Sequence, residues 1–197
     1  MHVSLMRPAT DRVWTAEEVR ALPDPPFGAP YQRYEVVDGV LLVSPSPRHA
    51  HQRAVGALLV ELTLYLRGTP GIGEALLSPS DVELDLRSLV QPDLFVVPSV
   101  EARASLDWRA LGTPILAIEV LSPSTSRYDR GLKRRKYLAS GVPLWLVDID
   151  ARLVEVWLPD VATPTIVDEL LHWHPDGAVD AFTLDLPAFF LAVTGEP

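Results

Sequence analysis

The strongest structural signal in this chain is the run Ile115-Leu116-Ala117-Ile118-Glu119-Val120-Leu121. All but one of its residues are apolar, and a near-continuous apolar run is typical of a central strand that is covered on both faces of a sheet. Glu119 is the exception, and an ionised carboxylate in a buried strand is unfavourable unless a cation or a metal ion compensates its charge. The run therefore predicts a central strand and a candidate site at Glu119. The alternative is a strand-end glutamate that pairs with an arginine.

A second acid begins an earlier apolar strand. Asp93 follows Pro92 directly and opens the run Asp93-Leu94-Phe95-Val96-Val97. If the two strands are neighbours, Asp93 and Glu119 lie at the same edge of the sheet, where they can hold one divalent ion with a backbone carbonyl and water. Such an ion polarises a phosphate and lowers the pKa of an attacking water. Taken alone, an aspartate after proline is equally well explained as a strand-start residue.

A lysine on the next predicted helix is the third candidate. The helix is expected over about residues 127–140 and ends at Gly141. Asp129, Lys133 and Tyr137 are spaced i, i+4, i+8 and share one helix face. On that face Lys133 could stabilise negative charge that develops on a phosphate. The alternative is an exposed Asp–Lys helix pair.

Local signals predict the elements that precede this region. Thr15 and Glu18 have the spacing of a capping box, which predicts a short helix that begins after Thr15. Asp38-Gly39 between two apolar, β-branched runs predicts a hairpin. Apolar residues at helical spacing predict a helix over residues 49–67.

The remaining strands complete the fold prediction. Their order with the helices is typical of an α/β (α+β) fold in which helices flank a mixed β-sheet. We expect a single domain over residues 1–197, with an extended arm of about 14 residues at its start. Further strands are predicted at residues 74–77, 81–86, 93–97, 144–148 and 153–157, and strands and turns over the last forty residues.

Composition restricts the chemistry. The chain has no cysteine, which excludes disulfides, zinc–thiolate sites and a cysteine nucleophile. A metal site must therefore use carboxylates, histidine and carbonyl groups, a donor set that suits Mg²⁺. No apolar run approaches the roughly 20 residues of a membrane span, and the N-terminus lacks a signal-peptide core. We expect a cytoplasmic protein without membrane contacts.

The net charge of -9 opposes generic nucleic-acid binding, because phosphate contacts need basic surface. Six basic residues nevertheless fall within ten positions. They form either a local nucleic-acid contact or a solvated helix face. They are Arg127, Arg130, Lys133, Arg134, Arg135 and Lys136.

A set of short sequence blocks follows a specific order. They occupy residues 34–39, 44–45, 91–94, 118–125, 129–137 and 141–148, with His51 opening the helix after the second block. In order and spacing, over about residues 15–160, they resemble the Uma-type restriction endonucleases, a branch of the PD-(D/E)XK nuclease superfamily.

This resemblance implies a restriction-endonuclease-like αβββαβ core and a site for Mg²⁺, or alternatively Mn²⁺. Asp93 takes the place of the motif aspartate and Glu119 that of its acidic partner, with Val120 as a further metal ligand through its backbone. The motif lysine, two residues after the acid, would fall on Leu121, which cannot act. In this branch the lysine lies on the following helix, and Lys133 is the matching position.

Four more residues are candidates with open alternatives. Glu35 matches a glutamate of the first hairpin, and Asp81 matches an aspartate that begins a strand beside the site. Their alternatives are a hairpin salt bridge and a strand cap. His51 could approach the site, or it could cap the helix or pack in the core. Tyr137 could orient a carboxylate or simply pack.

The expected function is metal-dependent endonucleolytic hydrolysis of phosphodiester bonds in nucleic acid, with DNA as the expected substrate. The resemblance also implies a homodimer, because nucleases of this superfamily often act as dimers. Two alternatives stay open. The net charge favours a catalytically silent DNA-binding or assembly module. A small substrate would favour a phosphodiesterase that uses the same ion site.

Overall fold

The computed structural model describes residues 12–23, 32–104 and 112–195. Most of the predicted N-terminal arm therefore lies outside the described residues. The helices are α1 (Ala16–Arg20), α2 (His49–Gly68), α3 (Ser99–Ala104), α4 (Ser126–Tyr128), α5 (Arg134–Ala139) and α6 (Leu186–Thr194), with a π-helical turn (Asp129–Lys133) between α4 and α5. The strands are β1 (Gln32–Val37), β2 (Val40–Pro45), β3 (Gly73–Leu77), β4 (Val82–Asp85), β5 (Ser88–Val90), β6 (Leu94–Pro98), β7 (Leu116–Val120), β8 (Leu144–Asp148), β9 (Leu153–Trp157), β10 (Thr165–Val167), β11 (Leu170–Trp173) and β12 (Phe182–Asp185).

The largest sheet has the strand order β10-β9-β8-β7-β6-β3. Strand β7, the apolar run around Glu119, pairs antiparallel with β6 and parallel with β8, and all of its residues are buried. The chain crosses from β7 to β8 through α4, the π-helical turn and α5. Elements α2, β3, β6, β7, α5 and β8 follow the predicted αβββαβ order, so the predicted mixed sheet flanked by helices is confirmed.

A second sheet with the order β2-β1-β5-β4 covers part of the first. Its hairpin β1–β2 was predicted from Asp38 and Gly39, and both adopt the positive φ that a tight hairpin turn needs. The predicted strand at residues 81–86 is found as β4, which ends at Asp85. Strand β5 follows after a short turn and was not predicted, because three residues are too few to show a period of two.

The C-terminal segment differs from the prediction of strands and turns, because residues 186–194 form helix α6. Asp185 caps this helix by accepting a hydrogen bond from the Ala188 N–H, and Gly195 ends it in the left-handed conformation. The predicted helix over residues 127–140 begins one residue earlier and contains the π-helical turn. Among the described residues, the helices are all too short or too polar to cross a lipid bilayer.

Successive side chains of β7 point alternately to the two faces of the sheet, and each face packs against a different apolar cluster. Ile118 and Val120 belong to the apolar cluster beneath α2, whereas Ala117 and Leu121 belong to the cluster beneath α5 and the second sheet. Glu119 therefore projects to the same side as Ala117 and Leu121. This places its carboxylate beneath the segment that carries Lys133.

Replacement of Gly39 and of Gly56 by alanine should change the free energy of unfolding in opposite directions. Gly39 has φ +83°, and an added Cβ would lie 2.5 Å from Val13 Cγ1, so Gly39→Ala is expected to destabilise the fold by about 1–3 kcal/mol. Gly56 lies within α2 with nothing near its Cβ position, so Gly56→Ala should stabilise by about 0.5–1 kcal/mol. Urea unfolding of both variants measures the difference, and equal signs would contradict the argument.

Candidate active site

The register of the central sheet sets the two predicted acids opposite each other. Leu94 pairs with Ile118, so one step further along the antiparallel pair Asp93 stands opposite Glu119. Residues in such positions have Cβ atoms about 4.5–5.5 Å apart and point to the same face. Both are buried, with 5% of Asp93 and 1% of Glu119 exposed.

Asp93 is held by three donors. Arg33 Nη1 lies 2.9 Å from its Oδ1, while His51 Nε2 lies 3.0 Å and the Val120 backbone N 2.9 Å from its Oδ2. Burial by itself raises the pKa of Asp93, but the His51 hydrogen bond and the charges of Arg33, His51 and Lys133 lower it well below the ordinary value. Asp93 is therefore an ionised and rigidly placed carboxylate.

Glu119 lies in a network built around Lys133. Its Oε1 accepts a hydrogen bond from the Tyr137 hydroxyl at 2.8 Å and lies 2.6 Å from Lys133 Nζ. The same ammonium group lies 2.8 Å from Glu35 Oε1 and 3.7 Å from Asp129 Oδ1. Lys133 is only 1% exposed, so the alternative of a surface Asp–Lys pair is wrong. These three acids outweigh burial and raise the pKa of Lys133 above its ordinary value.

The site contains more buried acids than buried cations. Two positive side chains, Arg33 and Lys133, face four acids, and His51 adds a third positive charge only when it is protonated. Burial and the charges of the other three acids together raise the pKa of Glu119 to about 8, against the influence of Lys133. At neutral pH Glu119 therefore carries a proton for most of the time. We call Glu35, Asp93, Glu119 and Asp129 the acid cluster.

A cavity of about 690 Å³ opens in front of Asp93. His51 and Arg33 also line it, whereas Glu119 and Lys133 do not. The remaining described lining comes from the start of α2, from Leu77 at the end of β3, and from hydroxyl-bearing and proline residues. They are Ser44, Pro45, Ser46, Pro47, Arg48, Gln52, Val55, Leu77, Ser78, Pro79, Ser122, Pro123, Ser124 and Thr125.

Asp81 does not join the acid cluster. Its carboxylate accepts a hydrogen bond from Gln91 Nε2 at 2.9 Å and pairs with Arg20 Nε at 3.4 Å. Gln91 is the link to the site, because its backbone N–H donates to Glu35 Oε1 at 2.8 Å. Glu35 itself lies within the cluster and is 1% exposed.

Sequence reasoning missed Arg33. Arg33 and Glu35 are two residues apart on β1 and therefore lie on the same face of the strand, which was the available signal. The Arg33 side chain bonds Asp93 Oδ1 and the Gln91 carbonyl, and its Nε lies 3.5 Å from Glu35 Oε2. It joins the second sheet to the end of the central one.

The basic run on the helical segment is largely neutralised within the chain. Arg130 pairs with Asp148 and Glu155, each at 2.7 Å. Lys136 pairs with Asp38 at 2.8 Å and also with Asp85. Arg134 lies over the Trp157 ring, and Arg127 and Arg135 are exposed. The run is therefore a poor candidate for a continuous nucleic-acid contact.

Within residues 12–23, 32–104 and 112–195, no three His, Asp or Glu side chains are placed to hold one ion together. The Lys133 ammonium and the Arg33 guanidinium already contact the carboxylates of the acid cluster. The donor chemistry still fits Mg²⁺, which is usually bound by one or two carboxylates and completed by water and substrate phosphate. Asp93 and Glu119 would supply these two carboxylates.

Comparison with known proteins places the chain among nuclease-like folds. The family model described as "Uma2: Putative restriction endonuclease" matches residues 16–187. The fold is similar to the crystal structure of "a putative nuclease belonging to DUF820" from Anabaena variabilis, with a TM-score of 0.72 and 20% identity over 91% of this chain and 99% of that chain. A search of the curated proteins found no match.

Proposed function

This chain belongs to the Uma2 restriction endonuclease family, and we propose that it hydrolyses phosphodiester bonds of nucleic acid, DNA in the first instance, with bound Mg²⁺ or Mn²⁺. Family and fold support a nuclease. The observation that carries the finer proposal is the register that sets Asp93 opposite Glu119, with Lys133 2.6 Å from Glu119.

In this proposal Asp93 and Glu119 hold the ion, with the backbone carbonyl of Val120 as a further ligand. When bound, the ion polarises the phosphate and lowers the pKa of an attacking water. His51 and the Val120 N–H fix the Asp93 carboxylate, and Tyr137 fixes that of Glu119. Such supporting hydrogen bonds orient metal ligands and strengthen binding.

The charge of the acid cluster supports a cation site. Four buried acids exceed their buried positive partners, and Glu119 retains a proton as a result. A divalent cation would supply the missing positive charge, and its binding would release that proton. We therefore expect the affinity for Mg²⁺ to rise with pH up to about pH 8.

Lys133 is proposed to stabilise the negative charge that develops on the phosphate. Its pKa is raised by Glu119, Glu35 and Asp129, so the ammonium group stays charged throughout the working pH range. It is also held in place by these acids, and a preorganised cation in a dry site stabilises charge more effectively than one in water.

A catalytically silent nucleic-acid-binding module is the second candidate function. Two observations favour it: the net charge of -9, and the contacts that Lys133 makes with both Glu35 and Glu119. In a silent module these contacts would hold the cluster closed without a metal ion. Binding of nucleic acid without metal-dependent cutting would support this candidate.

The proposed activity is tested by incubating the protein with plasmid DNA, single-stranded DNA and RNA in Mg²⁺ or Mn²⁺. We expect cleavage with either ion and none in EDTA. Glu119→Ala, purified in parallel, controls for contaminating nuclease. If wild type and Glu119→Ala are indistinguishable across all substrates and ions, the nuclease proposal is wrong. Light scattering of the same samples checks the predicted homodimer.

A further inference from the structure

The cavity in front of Asp93 is small for a nucleic-acid site. Its volume of about 690 Å³ is that of a pocket for a molecule of drug size, which measures roughly 300–1,000 Å³. A pocket of this size encloses about one or two nucleotides and not a double helix. Because Asp93 forms part of its wall, whatever fills the cavity lies against the proposed metal ligand.

The lining favours contacts to the sugar-phosphate backbone. Hydroxyl groups of serine and threonine come from three separate segments, β2 with the loop after it, the turn after β3 and the loop after β7. Hydroxyls bond phosphate and sugar oxygens without regard to sequence. No Phe, Tyr or Trp ring is found among the described lining residues, so the large stacking platforms on which many single-strand binders depend are absent there.

The start of α2 supplies a positive end to the cavity. Arg48 is its N-cap residue, makes no side-chain capping bond, and has no ion-pair partner among the described residues. The first turn contains no acid, although the N-terminus of a 20-residue helix favours one. Arg48 and the uncapped N–H groups therefore suit an anion such as a phosphate.

Two residues that line the cavity, His51 and Ser78, carry buried polar atoms without a hydrogen-bond partner. His51 is 8% exposed, and its Nδ1 has no hydrogen-bond partner although its Nε2 bonds Asp93. The Ser78 hydroxyl is also buried without a partner. Buried polar atoms are seldom left unpaired, and both residues line the cavity.

We infer that the cavity binds a single strand of nucleic acid, about one or two nucleotides at a time, through its phosphate and sugar groups, with one phosphate held by Arg48 and the start of α2. This inference rests on the proposed nuclease function. It assigns the substrate class as single-stranded or locally unpaired nucleic acid, recognised without base specificity.

The charge balance agrees with this assignment. A protein that grips duplex DNA commonly contacts about 6–10 phosphates through basic groups. Here the described cavity wall contains two arginines, and one of them, Arg33, is already paired with Asp93. The described part of the cavity can therefore hold only a short stretch of backbone. Its binding should depend weakly on salt.

The test measures fluorescence anisotropy of a labelled twelve-nucleotide single strand and of the matching blunt duplex, with Glu119→Gln in EDTA so that nothing is cut. We expect the single strand to bind at least about tenfold more tightly, with oligo-dT and oligo-dA within about threefold of each other. The slope of log K against log salt should be about -0.7 to -1.4, as for one or two phosphates on a single strand.

Arg48→Ala should weaken single-strand binding about five- to tenfold and reduce the salt slope by about 0.7. Arg67→Ala is the matched control, because it removes the same charge from the other end of α2, about 28 Å away along the helix, and should change neither value. Circular dichroism verifies that both variants are folded.

Equal or tighter binding of duplex, a slope steeper than about -4, no binding of either form, or equal effects of Arg48→Ala and Arg67→Ala would each overturn the inference. Failure of the inference is distinguishable from failure of the nuclease proposal. If the protein cuts duplex in preference to single strand in the presence of metal, the nuclease proposal is supported and the inference of a single-strand site is wrong. If the protein binds single strands tightly but cuts nothing with any metal, the single-strand site is supported and the nuclease proposal is wrong.

Discussion

Replacement of Glu119 by glutamine is expected to lower the rate of metal-dependent cleavage by about a thousandfold or more, because stabilisation of transition-state charge by a bound ion amounts to several kcal/mol. Glutamine keeps the shape of the side chain and can still accept the Tyr137 hydrogen bond. It removes the negative charge that a divalent cation needs. The measurement is the initial rate of cleavage at saturating Mn²⁺, with Glu61→Gln on the exposed face of α2 as control.

The same substitution should stabilise the metal-free protein at alkaline pH. The pKa of Glu119 is raised from 4.5 to about 8 in the folded chain, because of burial and the neighbouring acids. Between these two values the folded state holds a proton that the unfolded state has released. The free energy of unfolding therefore falls as pH rises through this window, by up to about 1.4 kcal/mol per pH unit.

Urea unfolding in EDTA from pH 5 to pH 8.5 measures this dependence. Glu119→Gln lacks the titrating group, so its stability should change less with pH and should exceed that of wild type most clearly near pH 8. Parallel pH profiles for the two proteins would contradict the raised pKa of Glu119.

For the cleavage rate of Glu119→Gln, a loss of less than about tenfold would contradict the role of Glu119 as a metal ligand.

The parts of the fold that the sequence predicts are those with strong local signals. The run around Glu119 is apolar on both faces, which is typical of a covered strand, and β7 indeed lies within the central sheet. Asp38-Gly39 requires positive φ at two successive positions, which few turns other than a tight hairpin provide. Helix α6 was missed because the stretch around Phe189 and Phe190 is too short and too apolar to reveal a period.

The candidate site is only partly visible in the sequence, because its contacts join distant segments. The spacing of Asp129, Lys133 and Tyr137 predicts a shared face, but the same spacing occurs on exposed helices. Burial of Lys133 depends on Glu35, which lies almost a hundred residues away on β1. The π-helical turn that carries Asp129 and Lys133 has no sequence signature, although such turns are frequent at functional sites. Packing of the second sheet decides these features.

Replacement of Lys133 by methionine is expected to destabilise the protein by about 3–5 kcal/mol and to lower cleavage by about a hundred- to a thousandfold. Methionine fills a similar volume, so the loss is mainly one of charge. It leaves the acidic side chains of Glu35, Glu119 and Asp129 buried without the ammonium group that they share. The free energy of unfolding in urea at pH 7 measures the first effect, and the initial rate with Mn²⁺ measures the second.

Lys136→Met is the matched control, because Lys136 lies three residues away and pairs with acids that are about half exposed. Loss of the Lys136 ammonium group should lower the free energy of unfolding by at most about 1 kcal/mol, as for surface ion pairs. Glu35→Gln added to Lys133→Met should recover part of the lost stability, since it removes one of the uncompensated charges. If Lys133→Met does not fold at pH 7, the double variant and the single variant at pH 5 provide the comparison. Equal costs for Lys133→Met and Lys136→Met would show that the acid cluster does not need its shared cation, and the proposed electrostatics of the site would then be wrong.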